Sequence, residues 1–265
     1  MTASDACPHD RAFELRVLAD ASEVATAVAD LVVELVRASP HAVLGLPTGS
    51  TPLPLYRELV GRAGRGEVSF SDVTVFLLDE YVSLADGHPR SFLATIRREF
   101  TDAAGFGPDQ VHGPNPRGDL ERAAASYDDA IREAGGVDLQ LLGIGRNGHI
   151  GFNEPGTPFE ATTRVADLSS VTRADAAEPF GTDDVPTRAI TQGPATIMSA
   201  RRAVLMATGT TKAAAVAAML DGPIDPACPA SLLRRHRRAT AYVDAAAASA
   251  LEAGRPVVPQ GRRSS

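Results

Sequence analysis

Tryptophan is absent from this 265-residue sequence, aromatic residues make up only 5 %, and cysteine occurs twice, as Cys7 and Cys228. Two cysteines so far apart, with no CxxC or CxxH neighbour, argue against a disulfide framework and against a zinc site of the usual spacing. They fit a reducing cytoplasm. No segment reaches the apolar length of a membrane span, and the opening stretch MTASDACPHDRAFELRV carries acids and no apolar core of signal-peptide length. Positive charge is the scarcer sign: 26 Lys and Arg stand against 33 Asp and Glu, a net charge of −7. That balance disfavours a nucleic-acid or anionic-membrane partner. The local exception, Arg234-Arg235-His236-Arg237-Arg238, reads as a solvated helix end placed well for the helix dipole. Low-complexity linkers and fixed-period repeats are missing too, which predicts one domain over 21–253. A short N-terminal segment, 1–20, precedes it, and 254-GRPVVPQGRRSS-265 follows as a flexible tail.

What is present is a regular alternation. Val24, Ala27, Val28, Leu31, Val32 and Leu35 recur at three and four and predict a helix from about Ser22 to Arg37. Short apolar runs at 42-AVLGL-46, 73-VTVFLL-78, Val137 to Ile144, 203-AVLMAT-208 and 239-ATAYV-243 predict strands. Between them, helices are predicted from Pro52, from Ser91 to Phe100, from Leu120 to Ala134, from Thr211 to Leu220, and over an alanine-rich end near Glu252. Apolar strands without polar alternation, separated by helices, mean an α/β fold with a parallel sheet covered on both faces.

In such sheets ligands bind beyond the carboxyl ends of the strands. Four strand ends carry unusual polar residues. In 45-GLPTGST-51 a glycine turn with Thr48, Gly49, Ser50 and Thr51 leads into a helix, which makes either an anion cradle or an ordinary helix cap. It lacks the lysine of a nucleotide-binding P-loop. An apolar strand ends in Asp79-Glu80-Tyr81, where a desolvated carboxylate suits a base working near neutral pH. Lys212 follows a fourth strand at a helix start, a place that favours anions over cations unless a phosphate is near. The third strand end, 141-LLGIGRNGHIGFNEPG-156, contains G-x-G-x-x-G, yet Gly151, Pro155 and Gly156 disfavour the helix that a dinucleotide site requires.

Together, 45-GLPTGST-51, 79-DEYVSL-84, 143-GIGRNGHIGFNEPG-156, 209-GTTKA-213 and 229-PASLLRRH-236 resemble the glucosamine-6-phosphate deaminase (isomerase) family, in family order from about residue 20 to 250. The resemblance implies a modified doubly wound, Rossmann-like fold and conversion of glucosamine 6-phosphate and water to fructose 6-phosphate and ammonia, with no metal or cofactor. By the same resemblance Asp79 is the enolisation base, His149 the ring-opening base, and Glu154 the carboxylate that orients it. Asn147 stands where many members carry aspartate, able to hydrogen-bond His149 without bringing charge. Thr48 to Thr51 and Lys212 fall at phosphate-binding positions. Glu178 occupies the place of a family arginine that helps hold phosphate, and Arg173 is the candidate substitute. Thr157 and Arg164 match the family's effector site, whereas Ala166 and Asp167 replace its lysine and threonine, so weak or no activation by N-acetylglucosamine 6-phosphate is expected. Two rival readings are a 6-phosphogluconolactonase-like hydrolase, whose loops lack the DEY and FNEP pairings, and a noncatalytic sugar-phosphate sensor, which would dispense with Asp79 or His149. The expected partner is a small amino-sugar phosphate, and the sequence leaves a homo-oligomer open.

Overall fold

The computed structural model describes residues 13–180 and 185–252; the predicted tail at 254–265 lies outside them. The elements in chain order are β1 (Glu14–Leu18), α1 (Ala21–Ala38), β2 (Val43–Leu46), α2 (Leu53–Gly64), β3 (Thr74–Leu77), β4 (Asp79–Tyr81) and α3 (Phe92–Ile96). There follow β5 (Val111–His112), α4 (Leu120–Glu133), β6 (Leu139–Gly143), β7 (Arg164–Asp167), α5 (Ser170–Asp175), α6 (Ala177–Phe180), β8 (Arg188–Thr191) and α7 (Pro194–Met198). The chain closes with β9 (Arg202–Ala207), α8 (Ala213–Asp221) and β10 (Ala239–Asp244).

Seven strands form one sheet in the order β1-β10-β9-β6-β2-β3-β5, every pairing parallel. Alternating residues of each strand feed cores on opposite faces, as the pleat dictates. Leu139 and Leu141 of β6 join α1 and α2, whereas Leu142 joins α8. Helices therefore cover both faces of a doubly wound, mostly parallel sheet, as expected. Local chemistry agrees: Asp20 caps α1 by accepting from Ser22 N and Glu23 N, each at 2.9 Å. Gly45 is required by a close approach, since a Cβ there would lie 2.1 Å from Oε1 of the fully buried Gln140.

Four features differ from the sequence expectation. Glu14–Leu18, within the segment set apart at 1–20, is the edge strand and pairs along its length with Thr240 to Asp244. Asp79-Glu80-Tyr81, expected as the end of the preceding apolar strand, is a strand of its own: it pairs antiparallel with β8, which also pairs with β7, to make a second sheet of three strands. The helix predicted from Ser91 to Phe100 becomes a π turn at Arg97–Thr101, where Phe100 stacks on Tyr56 with centroids 5.1 Å apart. The alanine-rich end is a series of turns, because Asp244 draws in Ala247 N at 2.7 Å while also holding Gly209 N at 3.0 Å. A segment that short has little helical stability of its own to oppose this.

The basic run proves to be partly structural. It ends a 3-10 turn, Pro229–Arg235, and Arg234 donates to the carbonyls of Met219, Leu220 and Gly222 at the C-terminus of α8. His236 is buried, its Nε2 2.9 Å from Ala200 O.

Candidate active site

A pocket of about 540 Å³ opens at the carboxyl ends of the parallel strands. It gathers Thr48, Gly49, Ser50 and Thr51 after β2, Asp79 after β3, His149 after β6 and Lys212 after β9. Asn147, Glu154 and Arg173 do not line it.

The turn 48–51 is anchored from below, where Tyr56 Oη donates to Pro47 O at 2.5 Å. Gly49 takes φ +103°, a conformation that glycine adopts without strain. The helix α2 begins at Leu53 with Pro52 at its cap position and receives no side-chain capping bond. The cap alternative is thus not realised, and the hydroxyls of Ser50 and Thr51 are not engaged in capping α2.

Asp79 sits where β3 hands over to β4. It is 6 % exposed and faces Thr191 of β8. Burial, reinforced by the charge of Glu80, pushes its carboxyl well above the usual carboxylate range. Glu80 points elsewhere: it accepts from Tyr81 N and Phe92 N at 2.9 Å and Leu93 N at 3.0 Å, closing the start of α3.

The loop after β6 opens no helix, which removes the dinucleotide reading. Its glycines shape the seat of His149 instead. A Cβ on Gly145 would lie 2.2 Å from the imidazole Cε1, and one on Gly148, at φ +84°, would lie 2.7 Å from Cys228 Sγ. Glu154 Oε2 stands 3.9 Å from His149 Nδ1 and accepts from Asn147 Nδ2 at 2.8 Å. Asn147 also accepts from His149 N, at 3.3 Å, so it reaches the backbone of His149 and the carboxylate behind the ring. Burial alone would raise the carboxyl of Glu154, but hydrogen bonds from Thr172 and Asn147 and the facing His149 outweigh it and hold Glu154 below its ordinary range.

Several residues here escaped the sequence reading. Thr172 borders the pocket and bonds Glu154; Arg90 and Arg98 also line it; Phe180 packs against Tyr81, edge to face at 5.4 Å. Asn153, fully buried, donates to Ile150 O and Gln192 O at 2.8 Å and accepts from Arg164 Nη1 at 2.6 Å. Arg164 Nη2 also reaches Thr157 Oγ1 at 3.2 Å, so these two effector-position residues are joined to each other and to the loop. The NEP sequence was a signal for Asn153; nothing local marked Thr172. Arg173 lies on α5 with its Nε buried and without a hydrogen-bond partner among the described residues, away from the pocket wall. The side chain of Glu178 lies outside the described residues. Among the described residues, no group of three or more His, Cys, Asp or Glu is arranged to hold a metal ion.

A doubly wound sheet that presents a hydroxyl-lined turn, a buried carboxylate and a histidine-carboxylate pair to one pocket has the architecture of an α/β enzyme. The chain belongs to the family of glucosamine-6-phosphate isomerases and 6-phosphogluconolactonases, whose profile matches residues 19–242. Named relatives include a glucosamine-6-phosphate deaminase of Arthrobacter sp., 49 % identical over 90 % of this chain and 92 % of its own. One from Pseudarthrobacter chlorophenolicus is 50 % identical over 90 % and 93 %. Among solved structures, a monomeric glucosamine-6-phosphate deaminase superimposes with TM-score 0.87 at 38 % identity, covering 89 % of this chain and 99 % of that one. The 6-phosphogluconolactonase of Trypanosoma brucei, at 23 % identity and TM-score 0.71 over 90 % and 98 %, shares the fold.

Proposed function

We propose that the chain is a glucosamine-6-phosphate deaminase, converting glucosamine 6-phosphate and water to fructose 6-phosphate and ammonia. The observation that carries this reading is the convergence of Asp79, His149, the 48–51 turn and Lys212 on one pocket, in a chain about half identical to proteins of that name. The backbone and hydroxyls of Thr48 to Thr51 and the ammonium of Lys212 receive the phosphate. His149, backed by Glu154 and Asn147, moves the proton from the anomeric hydroxyl to the ring oxygen. Asp79, made more basic by burial, removes the C2 proton of the open sugar to give an enolamine. Returning that proton to C1 leaves an iminium at C2, and addition of water there expels ammonia.

The reaction calls on no group beyond these side chains. No helix among the described residues is long and apolar enough to cross a membrane, and a cytoplasmic location is part of the same proposal. Ala166 and Asp167, in place of the family's lysine and threonine beside Arg164, support weak or absent activation by N-acetylglucosamine 6-phosphate. Assembly into a homo-oligomer is open to light scattering. The decisive assay measures ammonia and fructose 6-phosphate released from glucosamine 6-phosphate. Release of both in equal amounts is expected; hydrolysis of a 6-phosphogluconolactone with no ammonia release would overturn the reading.

A further inference from the structure

Thr172 is 5 % exposed, borders the pocket and donates its hydroxyl to Glu154 Oε1. Ser169, the cap of α5, donates in turn to Thr172 Oγ1 at 3.1 Å and accepts from Thr172 N at 3.1 Å. Two hydroxyls therefore line up behind one carboxylate oxygen, a chain in which each bond polarises the next. The other oxygen takes the Asn147 amide at 2.8 Å and faces His149 Nδ1 at 3.9 Å. Glu154 is thus pinned from two directions, by its own loop and by a helix eighteen residues further along the chain.

A carboxylate serves the imidazole behind which it stands only while it is ionised and correctly turned. With Oε1 released, the side chain of Glu154 could rotate about its terminal bond, a soft torsion with broad preferences. We propose that Thr172 is a positioning residue for the proton-transfer pair His149–Glu154, fixing the carboxylate of Glu154 in the orientation that faces the imidazole. This rests on the deaminase reading for its catalytic meaning, though the contact itself does not. Among the described residues, the charged group that faces Glu154 is His149; Asn147, Thr172 and Ser169 are neutral donors. Losing the Thr172 donor removes a bond that favours the ionised form, so the carboxyl must titrate at higher pH.

The test compares wild type, Thr172→Val, Thr172→Ala and Thr172→Ser, following the Glu154 carboxyl by carbon NMR, assigned with Glu154→Gln, and ammonia release across pH. Valine keeps the volume and loses the donor; serine restores the donor. In Thr172→Val and Thr172→Ala the carboxyl midpoint should rise by roughly one pH unit, about the worth of one charge-assisted hydrogen bond. The acid limb of kcat should move up with it, kcat should fall about tenfold, and KM should change little. Thr172→Ser should return the midpoint, limb and rate to near wild-type values. An unmoved midpoint in the folded Val or Ala variant, or a folded Ser variant that fails to restore it, overturns the proposal. If wild type releases no ammonia, the deaminase reading fails, while the carboxyl titration still decides the Thr172 contact.

Discussion

Asp79 is a carboxylate held where its charge is least welcome, under apolar strand ends and beside Glu80. That placement implies opposite effects on turnover and on stability. Asp79→Asn should reduce ammonia release by about a hundredfold or more, since proton transfer by a positioned base contributes roughly 10²–10⁴, while a substrate analogue still binds. The same variant should be more stable than wild type without ligand at neutral pH. The folded-state pKa is raised above the unfolded one, so between those two values the native state holds a proton that the unfolded chain has lost, and stability falls as pH rises. The gain from asparagine is therefore full above the raised pKa and vanishes below about pH 4, where both states of the aspartate are protonated. Denaturant melts of both proteins from pH 3 to 9 would show it; a constant difference across that range would place Asp79 in a less buried setting. At this scale the sequence was a good guide to groups at strand ends, because strand ends can be read locally. Thr172 was not legible, since its importance lies in a partner 18 residues away.

The element that positions Asp79 is β4, and what steadies β4 is Glu80. Its two oxygens satisfy three backbone donors, Tyr81 N, Phe92 N and Leu93 N, so one side chain ties the second sheet to the first turn of α3. Glu80→Ala would leave the buried Tyr81 N and the part-buried Phe92 N and Leu93 N without their acceptor, at a cost of about 1–3 kcal/mol for each that water does not reach. A loss of roughly 3 kcal/mol or more is expected in urea denaturation, with Glu80→Gln losing less because its amide oxygen still accepts. The long helices and apolar parallel strands were legible from periodicity. The second sheet was not: its strands are three or four residues long and mix charges with apolar residues, so no window of sequence holds enough of the pattern.

Across the whole molecule, the parallel sheet depends on joining the two ends of the domain. The edge strand β1 comes from the start and pairs with β10 from the end, and Leu15 and Leu18 are buried against the cores on the two faces. Burying two leucines contributes about 3–6 kcal/mol. Deletion through Leu18 should cost about that much and leave β10 as an open edge, a template for strand pairing between molecules. Size-exclusion chromatography at rising concentration should then show aggregation that the full chain lacks; a stable, monodisperse truncation would contradict the role given to β1. The doubly wound architecture followed from the alternation of elements, whereas β1 was hidden because ELRVL mixes charged and apolar residues at a sheet edge, away from the continuous apolar runs of the centre.

The seclusion of Asp79 also bears on the fate of individual hydrogens. Turning the aldose into a ketose adds one hydrogen at C1 as one leaves C2. A base open to water would exchange the captured proton with solvent before the enolamine collapsed, whereas in the proposed mechanism Asp79, a residue only 6 % exposed, retains much of what it has taken. Deuterium installed at C2 of the amino sugar is then carried in part to C1 of the product in ordinary water. With Asp79 as the proposed base for both transfers, the label should arrive on the same face of the planar intermediate that it left, and the new methylene carbon should be chiral by virtue of its isotopes.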